Sequence, residues 1–193
     1  MNVSGAFGGA QVEVTGLSEA LAIFEELADE IGDKHATSKV LVPAAREAMK
    51  PVLSVARFLA PKDSGDLART LWIEARRPNK RDQKSKYASA TDTVIGLVTT
   101  KPFPKKKKRE FFAANVELYK KDKDAYKKKF KEYAYSLDFP YDARAIAQEF
   151  GTANIAPKPY LRVALESQST HVANNLGEII GRRCEQFRAK NVK

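Results

Sequence analysis

Apolar residues recur at three-to-four spacing through Leu17, Leu21, Phe24, Leu27, Ala28 and Ile31. That period predicts an amphipathic helix, closed by Gly32, since glycine accepts the left-handed conformation past a helix end. A second run, Leu41, Ala45, Ala48, Val52, Val55 and Leu59, predicts a helix over 38–59 with that face inward. Pro43 fits its first turn, whereas Pro51 lies inside it, removes a backbone hydrogen bond and predicts a bend. The helix must stop near Pro61. The period then changes to two over 70–75, where Leu71 and Ile73 oppose Trp72, and the β-branched stretch 93–100 is the clearest strand in the chain. Pairing of these two is the simplest sheet. Alternation of Val12 and Val14 predicts a further short strand over 11–15, after a glycine-containing, aperiodic arm over 1–10.

From 101 to 140 the pattern changes character. A proline-bracketed basic loop precedes Phe112, Val116, Tyr119, Lys123, Tyr126, Phe130, Tyr133 and Leu137, which alternate four and three apart. This heptad-like stripe, apolar except at Lys123, predicts one long amphipathic helix. Such a helix draws most of its stability from packing, so the stripe needs a partner in this chain or a neighbouring subunit. Aromatic rings interleaved with lysines also suit single-stranded nucleic acid, where bases stack; a packing face is the plainer reading. Pro140 ends the stripe, 142–150 forms a short helix capped by Gly151, and two prolines keep 154–159 extended. The last helix carries Leu161, Leu165, Gln168, Val172, Leu176, Ile179, Ile180, Cys184 and Phe187 down one face, before a basic tail over 188–193. The expected fold is α+β: a small, mostly antiparallel sheet packed by N-terminal and C-terminal helices, formed by 11–100 and 141–187, with 101–140 as a long inserted basic amphipathic helix.

Charge sharpens this picture. The 193 residues include 34 Lys and Arg against 24 Asp and Glu, a net charge of +10. Residues 101–131 carry 13 basic and 4 acidic side chains, and 76–86 carry 6 and 1, so the remainder is mildly acidic at −4. Lys105, Lys106, Lys107, Lys108, Arg109, Lys120, Lys121, Lys127, Lys128 and Lys129 are the candidate contacts to DNA or to an acidic partner. A concentrated positive segment releases counterions from a polyanion on binding; equally, lysine runs keep exposed helices soluble.

Chemistry is sparse. One cysteine and two histidines exclude a disulfide framework within the chain and a thiolate or histidine zinc site. No nucleotide-binding glycine loop, nucleophile elbow or zinc-protease motif occurs. Asp63, Asp66 and Glu74 are the only carboxylates that suggest a magnesium-dependent nuclease. Their setting is a turn and a helix start, where acids have structural uses. Cys184 lies on an apolar stripe and reads as a core residue. No cofactor, metal, small-molecule substrate or catalytic group is expected, and no apolar run reaches the roughly 20 residues that span a bilayer. The first residues lack the basic start and apolar core of a secretory signal. The chain therefore reads as a soluble protein made inside the cell.

Three pieces in order carry a resemblance. They are Pro61, Asp63, Ser64, Gly65 and Leu67; then Glu149, Phe150, Gly151 and Thr152; then Pro159, Tyr160, Leu161, Arg162 and Ala164. Together they resemble the tail-component family of long-tailed bacteriophages, the gene-ten-like neck or tail-completion proteins, over 11–100 and 141–187. The segment 101–140 is longer than that family's usual link. The resemblance implies a structural role in the virion, as a ring at the head–tail junction, with six subunits the expected number, through which genomic DNA passes. It implies self-association and contact with other neck and tail-tube proteins, no membrane and no enzymatic activity. A tail-terminator ring, or a non-specific nucleic-acid-binding module using the lysine-rich insertion, are the alternatives. From the residues themselves, the motifs are turns and caps, with Glu149 and Arg162 expected to pair with each other or to reach an adjacent subunit.

Overall fold

The computed structural model describes residues 16–61, 66–80, 82, 92–137 and 143–191. The arm over 1–10, the strand expected over 11–15, and Asp63, Ser64 and Gly65 lie outside the described residues. The fold is α+β and mostly helical, with one two-stranded antiparallel sheet and helices at both ends of the described chain. In order, the elements are α1 (Leu17–Ile31), α2 (Asp33–Ala36), a π-helical turn (Thr37–Leu41), α3 (Val42–Ala48), α4 (Lys50–Leu59), α5 (Asp66–Thr70), β1 (Leu71–Arg76) and β2 (Ile95–Thr100). Then follow α6 (Lys105–Ala114), α7 (Val116–Lys121), α8 (Lys123–Ser136), α9 (Ala143–Phe150) and α10 (Leu161–Asn191). The chain divides into two compact units, one of 1–55, 73–98 and 163–193, the other of 56–72 and 99–162.

In the first unit, Ala20, Phe24, Leu27 and Ala28 of α1 pack with Ala36, Val40, Ala44, Ile180 and Cys184. Gly32, at φ +84°, ends α1 and donates its N–H to Ala28 O at 2.7 Å. Gly177 of α10 is buried because the backbone of Gly16 and Leu17 crosses it; a Cβ there would lie 2.9 Å from the Gly16 carbonyl. Glu47 accepts hydrogen bonds from Arg182 and Arg183, which draw its carboxyl below the ordinary carboxylate range: the bond from Arg183 outweighs the opposing effect of burial.

The helix expected over 38–59 is one helical run interrupted twice. Among its buried positions, Ala36, Val40, Ala44, Ala48, Val52 and Ala56 stand four residues apart, with Thr37 and Met49 buried beside them. On a regular 3.6-residue helix each such step drifts about 40°, so the stripe would wind off the core. The wide turn before Pro43 and the break at Met49 before Pro51 take up that drift, and both prolines lack the N–H an unbroken helix would use. The inward face is accordingly not that of Leu41, Ala45 and Leu59: the first two are half-buried and Leu59 is exposed.

In β1, Leu71, Ile73 and Ala75 alternate with half-buried Trp72, Glu74 and Arg76. Lys101 N–H to Thr70 O, at 2.7 Å, closes the pair just past its end. In the second unit Arg57 donates to Leu71 O at 2.9 Å, fixing α4 to the start of β1.

The inserted segment corrects the expectation of one continuous helix. Asn115 and Asp122 divide it into α6, α7 and α8. Asn115 leaves helical geometry at φ −130° and its amide donates to Phe111 O at 2.8 Å. Asp122, at φ −149°, caps α8 by accepting from Asp124 N and Ala125 N, both at 2.9 Å. Asn and Asp favour such local bonds over helix continuation. The aromatic stripe thereby folds back on itself.

Candidate functional site

Two places in the second unit gather the residues that the sequence singled out. The first is the corner between α9 and α10. Gly151, at φ +76°, ends α9, and a Cβ there would lie 2.8 Å from Ile155 O. Only glycine fits both that torsion and that space. The chain then turns through a short bridge in which Thr152 N–H donates to Ile155 O at 2.9 Å, and Lys158 N–H returns to Gln148 O at 2.7 Å. This brings Tyr160, Leu161 and Arg162 beside Glu149. Pro159 itself is exposed.

Glu149 is 3% exposed, and both its oxygens are engaged. Oε2 accepts from Tyr160 N and Leu161 N, each at 2.9 Å. Oε1 accepts from Arg162 N at 3.2 Å and from Arg162 Nε at 2.9 Å, while Arg162 Nη2 donates to Glu149 O at 2.9 Å. The pairing of Glu149 with Arg162 across the turn is therefore present. The larger finding is that the carboxylate also satisfies the N–H groups at the start of α10, which have no partner within the helix. A negative charge there also meets the positive end of the helix dipole. Burial pushes the carboxyl upward, but the Leu161, Tyr160 and Arg162 donors more than offset it, so it sits below the ordinary carboxylate range.

Tyr160 is buried at 1% exposure, and burial, then the Glu149 charge, pushes its phenol up to about 12. Its hydroxyl has no hydrogen-bond partner among the described residues. Phe150 is 67% exposed, with the Arg162 guanidinium 5.2 Å from its ring centre. A shallow recess of about 190 Å³ is lined by Thr99, Thr100, Ala145, Ile146, Glu149, Phe150 and Leu161. With every Glu149 oxygen already bonded to N–H donors, the recess presents apolar surface and two threonines, a surface for contact more than for proton transfer.

Of the first motif, Pro61 is half-buried after α4, and Leu67 lies in α5, where its carbonyl accepts from Thr70 Oγ1 at 2.8 Å. Asp66 starts α5. Glu74 is bonded by Arg76 Nε at 2.7 Å, and Arg76 also holds Asp82, whose carboxylate accepts Asn79 N–H. Among the described residues no three His, Cys, Asp or Glu side chains converge as metal ligands would. Cys184 is fully buried, and burial raises its thiol.

The second place is the hairpin of α6 to α8. Phe111, only 8% exposed, meets Tyr126 at 5.5 Å, Phe130 at 5.3 Å and Tyr133 at 4.8 Å between ring centres. Phe103 adds contacts to Phe130 at 5.1 Å and Tyr133 at 6.0 Å. Phe112, Tyr119 and Tyr126 continue the series at 5.3 and 5.2 Å. Val116 and Leu137 are half-buried. The expected stripe is thus a packing face whose partner is its own other half. Lys123, the one charge in it, lies over the Tyr119 ring at 5.7 Å. The sequence reading missed Phe111 and Phe103, because they join the rings only once the chain reverses. Asp122 and Asn115, good helix-breaking residues within the run, were the available signal.

The cations stand outside this ring core. Lys105 to Arg109, Lys120, Lys121 and Lys127 to Lys129 are all exposed. Lys120 pairs with Glu117 at 3.2 Å and Lys127 with Asp124 at 2.8 Å. Lys105 to Arg109 form no ion pair among the described residues. No family model, curated protein or solved structure matches the chain. Among the described residues, no helix is long and apolar enough to cross a membrane.

Proposed function

We propose that this chain is a structural subunit of a virion, without enzymatic activity. Within that class it is a tail-completion (neck) protein of a long-tailed bacteriophage, forming a ring, with six subunits expected, at the top of the tail. Its partners are further copies of itself and the adjoining neck and tail-tube proteins, and genomic DNA passes through the ring. The observation that carries this reading is the corner at Glu149. Two of the three motif pieces resembling the tail-component family, far enough apart to belong to different helices, meet there and spend their polar groups on one rigid turn. That use of a buried carboxylate fits a part whose job is shape. Beside the turn, exposed Ile146, Phe150 and Ile155, at 59%, 67% and 51%, supply apolar surface of the kind subunit contacts use.

Electron microscopy of the assembled particle, with the chain marked by an antibody fragment, tests the proposal. Density at the junction of head and tail in a closed ring is the expected result. Location along the tail tube, at the baseplate or inside the head overturns it.

A further inference from the structure

Four consecutive lysines and an arginine open α6, and no acidic residue stands in its first turn. Positive side chains there oppose the helix dipole, and Lys105 repels Lys108 and Arg109 one turn on. Within the fold this placement costs stability. Helical phase sets Lys105, Lys106 and Arg109 on the side of α6 away from buried Phe111, and Lys128 opposite Phe130 on α8. The hairpin therefore has rings inside and cations outside, along helices of about 15 and 21 Å at 1.5 Å per residue.

We propose that the outer face of this hairpin binds duplex DNA through its phosphates, without reading sequence. Three observations choose this partner. First, the rings of the stripe are engaged with one another. Even the more exposed Phe112 and Tyr119 lie edge to face, so they do not form the open row of parallel faces on which successive unstacked bases would lie. Second, the 13 basic residues of 101–131 include a single arginine, and lysine is the cation that protein–protein interfaces deplete. A row of lysines, each a mobile point charge, suits a line of phosphates, where contact needs no fixed register. Third, Lys105 to Arg109 are all exposed and form no ion pair among the described residues, and lysine meets a phosphate as a point charge, a contact that carries no sequence information. This deepens the reading of the chain as a ring around DNA, but it concerns the isolated chain and is measured on it, so either proposal can fail alone.

The test titrates the full chain with a random-sequence duplex, with oligo-dT of equal length and with polyglutamate, over a series of salt concentrations. Duplex binding with a steep inverse salt dependence is expected, weaker binding to the other two, and no change in tyrosine emission. Replacing Lys105, Lys106, Lys107, Lys108 and Arg109 together by Gln is expected to lower the log–log salt slope by about one for each phosphate no longer neutralised, up to about five. A companion carrying Lys→Arg at 105–108 keeps the slope and controls for folding, alongside circular dichroism of both variants. Unchanged affinity and slope in the Gln variant overturn the proposal. So does tighter binding of oligo-dT with quenched tyrosine emission, which shows stacking on opened rings, or polyglutamate binding as tight as duplex, which marks an acidic protein as the partner.

Discussion

Glu149 binds four N–H donors while almost wholly removed from water, and that count sets what its replacement does. Glu149→Gln keeps the size but loses the charge and turns an amide NH₂ toward groups that can only donate. A loss of about 2–4 kcal/mol is expected, most of it from stranded N–H groups at the start of α10. Arg162 is 55% exposed on its side chain and finds water in exchange. The pH dependence follows from the sign of the shift. Because folding lowers the Glu149 pKa, its contribution is complete above the ordinary value near 4.5 and fades as pH falls below it. Glu47 acts in the same direction, so the comparison that isolates Glu149 is wild type against Glu149→Gln. In denaturant melts the gap between them is expected to be widest at neutral pH and to shrink below 4.5. A constant gap down to about pH 3 contradicts the assignment.

At the scale of elements, two glycines of α10 separate helix propensity from packing. Gly181 has no described atom within 4 Å of where a Cβ would stand, so Gly181→Ala is expected to stabilise by about 0.5–1 kcal/mol. Gly177→Ala gains the same propensity but drives a methyl against the Gly16 carbonyl, and overpacking of that kind costs about 1–3 kcal/mol. Thermal melts of the two variants are expected to move in opposite directions. This contrast also marks what the sequence makes legible. Gly32, Gly151, the two described strands and the start of α10 follow from local periodicity and local turn chemistry, and they stand close to the expected places. Helix α10 runs on to Asn191 through most of the expected tail, and Leu165, expected on its inward face, is exposed while Ala164 is buried in its stead. The hairpin does not, because a heptad stripe looks the same whether it packs on another body or folds onto itself at Asn115 and Asp122. The α2–α4 face is misjudged for a related reason: a four-residue stripe lies between helical phases until the helix is widened. At the corner, the Glu149–Arg162 pair was readable, whereas capping of three backbone N–H groups leaves no trace in side-chain identities.

For the molecule as a whole, Cys184 is a built-in reporter. It is the single cysteine, fully buried in the α1–α3–α10 core, and burial raises its thiol. Reaction with an aromatic disulfide reagent is expected to be slow in native conditions and to accelerate with denaturant in step with loss of helical circular dichroism. Prompt labelling of the native protein shows that this core opens independently. Charge is likewise partitioned at this scale: a mildly acidic remainder carries two cationic segments, 76–86 and 101–131, so a change in salt acts most strongly on those two and least on the apolar seams.

The π-helical turn over Thr37–Leu41 gives the chain an uneven tolerance of length variation. Excising one residue there restores ordinary pitch and leaves Ala36 within roughly 20° of its present phase relative to Ala44, because seven residues of regular helix span almost the same two turns that eight now span through the wide turn. Among related chains, a single-residue gap is therefore to be sought here as well as in the exposed connections, whereas a gap in the regular turns of α1 or α10 turns one side of the seam by about 100°.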